Sequence, residues 1–260
     1  MVAVAVALQI NRFEALPSTN TLALDLARAD APAWTTVVAD RQTAGRGRLR
    51  RVWHSPPGCG LYCSVILRPS LLLEHLPRLT LAGGVAICRA LEAMGVPAPR
   101  IKWPNDILLA GRKVGGILTE TAPLTGAGST PPPVVIGIGL NLSTPLAAFP
   151  PAFRNRATSI AAATGLALDP ESLLEKILAH LQAEVALLED AGFDAILEEW
   201  RRRDGMRGQV LTWLNTIGEK VEGIGLGVDA AGLYHIRDRH GTVHEVLSGD
   251  LDLAWPGQKD

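Results

Sequence analysis

Residues 100–121, RIKWPNDILLAGRKVGGILTET, hold three short apolar runs separated by the turn-forming segments PND and GR. That is meander or hairpin spacing, and it predicts neighbouring antiparallel strands. Lys102 stands between apolar neighbours, and Trp103-Pro104-Asn105-Asp106 then forces a turn. A lysine at the end of a buried strand is costly unless something anionic meets it, although its stem can also snorkel to solvent. Gly115 and Gly116 inside the third run point either to close approach of a ligand or backbone, or to a β-bulge.

Working outward, the chain alternates strands and helices. Ser18-Thr19-Asn20 precedes TLALDLARA, whose leucines and alanines recur at helical spacing, so an N-cap and a helix are expected there. WTTVVAD (34–40) and GLYCSVILR (60–68) read as strands. The segment 74–95 reads mostly as helix, starting near Leu76 with Pro77 in its first turn and ending at Gly95. APLTGAGSTPPP (122–133) is a turn by composition, and VVIGIGLNL (134–142) resumes as a fully apolar strand. Asp169-Pro170 opens a helix running to about Asp190, and a second covers 193–203. After Gly205 come GQVLTWL, KVEGIGLGV, LYHIRD, TVHEVL and LDLAW, five short strands that read as a small β-barrel. The fold class is therefore α+β: a mixed, mostly antiparallel sheet with helices over residues 1–205, then a barrel over 206–260.

Composition narrows the function classes. With 260 residues and 47% hydrophobic content, the chain can bury a sizeable core. Its net charge is −1, whereas proteins that live on nucleic-acid backbones carry a basic surplus. The start, MVAVAVALQI, lacks a basic region and a cleavage pattern, so it reads as a strand or frayed start rather than a signal peptide. No run reaches the ~18 apolar residues of a membrane span. Three cysteines, Cys59, Cys63 and Cys88, fit a reducing cytoplasm better than a disulfide framework. His54, Cys59 and Cys63 lack the second paired cluster of a metal site and read as small packing residues. His240 and His244 read as surface residues.

One local device breaks the charge balance. RQTAGRGRLRRVW (41–53) carries five arginines, and no acidic residue occurs between Asp40 and Glu74. Glycine lets backbone amides approach an anion, and arginine clamps phosphate or carboxylate with paired hydrogen bonds. The loop is not a P-loop, which needs a terminal lysine and Ser/Thr, and Gly45-x-Gly47 lacks the third glycine of a dinucleotide fingerprint. Trp53 can stack on a base or simply fill the core.

Taken together, STN (18–20), QTAGRGR…W (42–53), KWPNDILL…KVGGILTE (102–120), GIGLN (137–141) and ATSI (157–160) resemble the biotin protein ligase catalytic domain in order and spacing. The likeness extends over nearly the whole chain, and is to the short class without a DNA-binding domain. It implies a class II synthetase/biotin ligase-like fold with a C-terminal SH3-like barrel. The implied activity is ATP-dependent activation of biotin to biotinyl-5'-AMP, with Mg²⁺, then transfer to a lysine of a biotin carboxyl carrier domain of a biotin-dependent carboxylase. No nucleic acid or membrane partner is implied, and the state is monomer or homodimer.

The resemblance also implies roles. Ser18, Thr19, Asn20 and Gln42 match positions that hydrogen-bond the ureido ring. Gly45, Arg46, Gly47 and Arg48 wrap the carboxylate and α-phosphate, and Arg48 and Lys102 stabilise charge during catalysis. Gly115 and Gly116 leave room for the bicycle, while Trp53 and Asn141 frame the adenine. The metal ligands stay unassigned. One departure is Arg50, which stands where the family loop commonly has glycine. Two rivals remain: a lipoate ligase or octanoyl transferase of the same fold family, and a nucleic-acid-binding regulator using the arginine loop.

Overall fold

The structure is a computed structural model that describes residues 8–122, 131–214, 220–246 and 251–253. The apolar start (1–7), most of the expected turn at 123–130 and the end of the last expected strand lie outside the described residues. The main sheet comprises β1 (Ile10–Leu16), β2 (Thr36–Gln42), β3 (Gly60–Leu67), β4 (Arg100–Lys102), β5 (Asp106–Leu109), β6 (Arg112–Thr121) and β7 (Val134–Asn141). Their order is β1-β2-β3-β7-β6-β5-β4. Only β1 and β2 run parallel; the meander expected at 100–121 is the antiparallel set β4, β5 and β6.

Side-chain alternation gives this sheet two unlike faces. On one, Leu61, Cys63 and Val65 of β3 join Ile136, Ile138 and Leu140 of β7 in the main hydrophobic core. Helices α2 (Arg78–Ala93), α4 (Pro170–Ala191) and α5 (Asp194–Arg202) supply its other wall, with the short α3 (Ile160–Thr164) contributing Ile160. On the opposite face, α1 (Thr19–Arg28) buries Ala23, Leu24 and Ala27 against Val37, Ile66 and Val135. Burial of such an apolar helix face contributes roughly 25 cal/mol per Å² removed from water. Beside α1 this second face is almost bare, because Gly137 and Gly139 take the alternate positions of β7.

Local signals explain most helix ends. Asp169 caps α4 by accepting from Ser172 N at 2.9 Å, with Pro170 in the first turn. The first strand among the described residues is INRFEAL at Ile10–Leu16, placed by its parallel pairing with β2. One boundary differs from expectation. Helix α1 begins at Thr19, so Thr19 and Asn20 belong to its first turn; Ser18 occupies the cap position without a side-chain capping bond.

The C-terminal strands β8 (Val210–Leu214), β9 (Lys220–Val228), β10 (Tyr234–Asp238), β11 (Val243–Val246) and β12 (Asp252–Leu253) form a separate antiparallel sheet, ordered β11-β10-β9-β8-β12. Its buried residues Leu211, Tyr234, Ile236 and Val246 continue the main core. Edge strand β4 is bound to the segment after α5, with Ile101 N donating to Arg203 O (2.8 Å) and Gly205 N to Ile101 O (2.9 Å), and its turn reaches the C-terminal part where Trp103 Nε1 donates to Gly232 O (3.1 Å).

Candidate active site

The bare sheet face, the first turn of α1, the arginine loop and residues 149–157 enclose a cleft of about 490 Å³. It spans the end of β7, where the sheet pairs with β6 and leaves α1 behind.

One end of the cleft is neutral and polar. Gln42 Oε1 accepts from Thr19 N at 2.9 Å and lies 3.2 Å from Thr19 Oγ1, while its Nε2 donates to Ser55 Oγ at 2.9 Å. Gln42 thus satisfies a first-turn N–H that Ser18 leaves uncapped. Ser64 Oγ lies 2.6 Å from Asn20 Oδ1 and 2.8 Å from Thr19 Oγ1. Asn20 Nδ2 donates to Leu118 O at 3.1 Å and to Glu120 Oε2 at 3.0 Å. Both amide hydrogens are therefore committed, and Asn20 can offer a ligand only the remaining acceptor capacity of Oδ1. Gly137 is what admits this side chain: a Cβ there would lie 1.9 Å from Asn20 Oδ1.

The floor is glycine. Gly116 and Gly139 are register partners on β6 and β7, and the Trp53 indole lies over them. A Cβ on Gly139 would sit 2.5 Å from Trp53 Nε1. That Nε1 is buried with no hydrogen-bond partner among the described residues, an arrangement that carries a desolvation penalty of about 1–3 kcal/mol.

The rest of the lining is strongly cationic. Six cations line the cleft, Arg46, Arg48, Arg51, Lys102, Lys113 and Arg156, against two carboxylates, Asp106 and Asp252. Lys113 pairs with Asp106 at 2.6 Å and lies 5.4 Å from the centre of the Trp53 ring. Arg48 Nη1 donates to Asn105 Oδ1 at 3.2 Å, and Arg46 pairs with Glu120. Lys102 pairs with Asp252 at 3.2 Å, so it is not the isolated cation its apolar strand suggests. Its partner comes from β12 of the C-terminal sheet, 150 residues away.

Ser18, Thr19, Asn20, Gln42, Arg46, Gly47, Arg48, Trp53, Lys102, Gly116 and Asn141 all line this cleft. Gly45 and Gly115 do not. Gly45 lies under the loop, where a Cβ would come within 2.4 Å of Trp53 O, and Gly115 faces Leu140, whose Cδ2 would be 2.3 Å away. Asn141 is buried and donates to Thr158 O at 3.1 Å.

Lys113, Asp106, Ser64 and Glu120 were not anticipated. Lys113 had a signal in the sequence, since it opens the run that carries the two glycines. Cys63 and Cys88 are buried, which pushes both thiols up to about 12. Among the described residues no group of three or more His, Cys, Asp or Glu is arranged to hold a metal. Nor is any helix among them long and apolar enough to cross a membrane.

The arginine loop itself is compact. Gly47 N donates to Arg51 O at 2.8 Å, Trp53 N to Gly45 O at 2.9 Å, and Arg46 bridges Val52. Leu49 and Arg50 turn the chain with φ of 54° and 61°. Arg50 thus holds a left-handed conformation that glycine adopts freely and other L-residues enter at a cost.

Residues 12–141 match the biotin/lipoate A/B protein ligase family. The bifunctional ligase/repressor BirA of Bacillus subtilis is 36% identical over 241 residues, covering 93% of this chain and 73% of that protein. The biotin–[acetyl-CoA-carboxylase] ligase of Paracoccus denitrificans is 35% identical over 224 residues, 85% of this chain and 90% of that one. A structure of the Aquifex aeolicus biotin protein ligase in complex with biotin and ATP superimposes with a TM-score of 0.79 at 28% identity, over 94% of this chain and 98% of that one.

Proposed function

Because the chain belongs to the biotin/lipoate A/B protein ligase family, we propose that its cleft activates biotin with ATP and transfers it to a lysine of a carrier protein. The observation that carries this reading is one cleft that combines the neutral polar groups of the Ser18–Asn20 turn and Gln42 with six cations and two carboxylates in its lining. Biotin has the matching form, a neutral ureido head and an anionic tail. ATP adds further negative charge at the tail.

A carboxylate and an amine do not condense at neutral pH, so the acid is first activated. A carboxylate oxygen of biotin attacks the α-phosphorus, an O–P bond forms, and pyrophosphate leaves. The acceptor amine then attacks the activated carbonyl, an amide forms, and AMP leaves. Neither step needs a nucleophile from the enzyme. The chain's part is to orient the reactants and to neutralise charge as it develops. Arg46, Arg48, Lys102 and Lys113 are the groups we assign to that task. The Ser18–Asn20 turn and Gln42 hold the ureido ring, and the Trp53 indole, seated on Gly116 and Gly139, floors the cleft for the bicycle and with Asn141 borders the adenine.

Mg²⁺ fits as an ion bound mainly through phosphate oxygens, since such sites use one or two carboxylates and no protein cage. Asp106 and Asp252 are the carboxylates available to hold it in the cleft. When bound, it would neutralise phosphate charge.

We assign residues 1–205 to catalysis and 206–260 to a cover that supplies Asp252. The carrier is the biotin carboxyl carrier domain of a biotin-dependent carboxylase, a reading supported by the name of the Paracoccus relative. Free cysteines at 59, 63 and 88 support a reducing, cytoplasmic setting. ATP–pyrophosphate exchange measured with biotin, lipoate and octanoate tests the proposal. Exchange should require biotin. Exchange driven by lipoate or octanoate instead would move the chain to another branch of the same family.

A further inference from the structure

Glu120 lies behind the cleft wall, between Asn20 of the polar turn and Arg46 of the loop, and nothing in the reaction scheme above uses it. Its Oε2 accepts from Asn20 Nδ2 at 3.0 Å, and its Oε1 pairs with Arg46 of the loop. Arg46 also reaches Thr21 Oγ1 at 3.4 Å. Asn20 is 4% exposed and anchored on its other side by Leu118 O and Ser64. Glu120 is thus held from a rigid strand and a rigid helix turn, whereas Arg46 sits on a loop. The Glu120 side chain is 24% exposed, so water weakens this pair but does not fully screen it.

We propose that Glu120 is a positioning residue that ties the arginine loop to the polar turn of α1. It sets the loop's closed form and fixes which atom Asn20 presents to the ligand. This rests on the biotin ligase reading for its consequence, though not for its geometry. With Glu120 occupying one Asn20 N–H and Leu118 O the other, Asn20 meets the ureido ring through Oδ1, an acceptor for a ring N–H. With Arg46 drawn toward Glu120, the loop stays over the cleft after activation. Glu120 therefore acts on retention of the activated acid more than on its formation.

The test is Glu120→Gln, which keeps the size of the side chain and a carbonyl acceptor for Asn20 while removing the charge that holds Arg46. Trypsin cleavage at Arg48, Arg50 and Arg51 in the ligand-free protein should quicken roughly three- to fivefold, the scale of a partly exposed ion pair. Arg46→Gln should quicken it similarly, and the double variant should add little to either. In turnover by Glu120→Gln, the amount of activated biotin escaping into solution per pyrophosphate exchanged should rise. Unchanged trypsin cleavage in Glu120→Gln, or strictly additive effects in the double variant, would overturn the link whatever the enzyme's substrate. Exchange that ignores biotin in the wild type would instead defeat the functional reading and leave the trypsin result standing.

Discussion

Asp204 offers a test of how the C-terminal sheet is held. It follows α5 and accepts from Met206 N at 2.8 Å, Arg207 N at 3.2 Å and Tyr234 Oη at 3.1 Å. Burial raises its carboxyl to about 6 from an ordinary 3.8, and the hydrogen bonds recover only part of that shift. A folded state that holds the proton more tightly than the unfolded chain is favoured by acid. The stabilisation is complete below pH 3.8 and is lost as pH rises through about 6. A shift of this size corresponds to about 3 kcal/mol, as an upper bound. Asp204→Asn should therefore match the wild type near pH 4 and exceed it by up to ~3 kcal/mol at pH 7.5. Its amide keeps one acceptor for the backbone and can donate to Tyr234. Urea unfolding of both proteins between pH 4 and 7.5 isolates the effect, because every other titrating group is common to the pair. Parallel stability curves, or a variant less stable at pH 7.5, would refute a burial-raised carboxyl at the junction.

Lys102→Ala and Lys113→Ala should each lower pyrophosphate exchange by about 10²–10³-fold with the fold intact, as loss of a charge-stabilising contact does; near-normal exchange in either would remove that lysine from the reaction. Gly137→Ala should displace the Asn20 side chain, since the new Cβ falls 1.9 Å from its oxygen. Calorimetry should then show biotin affinity lost in a folded protein, and retained affinity would place the ureido ring elsewhere. Arg50→Gly should leave both chemistry and stability nearly unchanged, because relief of a positive φ of 61° is offset by greater freedom of the unfolded chain. Arg48→Gly should instead release activated biotin, and the reverse pattern in a release assay would invert the two roles. Trypsin cleavage across 46–51 should slow when biotin and ATP are added; equal rates would argue against closure.

Much of the architecture was legible because it is written in local pattern. The turn residues of PND and GR forced the meander, Asp169-Pro170 opened a long helix, and dense turns after Gly205 announced the five short strands of a small β-barrel, seen as the five-stranded antiparallel sheet. What escaped was decided by partners distant in sequence. INRFEAL has little hydrophobic alternation, yet it becomes β1 because β2 offers it a parallel edge. The cleft's polar end was visible in STN and Gln42. Ser64 and Glu120 were not, since Ser64 is a lone polar residue in an apolar strand and Glu120 stands among threonines at a strand end, where neither has a distinguishing signature.

Lys113 shows most clearly why the cationic end was only half read. On a regular strand, residues three apart face opposite ways, so Lys113 would point away from the glycine floor that includes Gly116. The register of β5 against β6 shows otherwise. Ile107 pairs with Gly115, but Leu108 pairs with Lys113, so Val114 is an extra residue on β6. That bulge reverses the facing, and Lys113 comes to lie beside Gly116 and above Trp53. The two readings of the paired glycines, close approach and bulge, are thus both realised, and they act together. The bulge delivers a cation to the cleft, and the glycine makes space beside it. Lys102 escaped correct reading for the complementary reason: its apolar strand made it look solitary, while its countercharge arrives from β12. Each lysine in the free protein is neutralised by one carboxylate, Asp106 or Asp252, that an incoming phosphate must replace or share. The cleft can therefore hold its cations at a strand end and a bulge without an uncompensated buried charge, and release them to the ligand when it arrives.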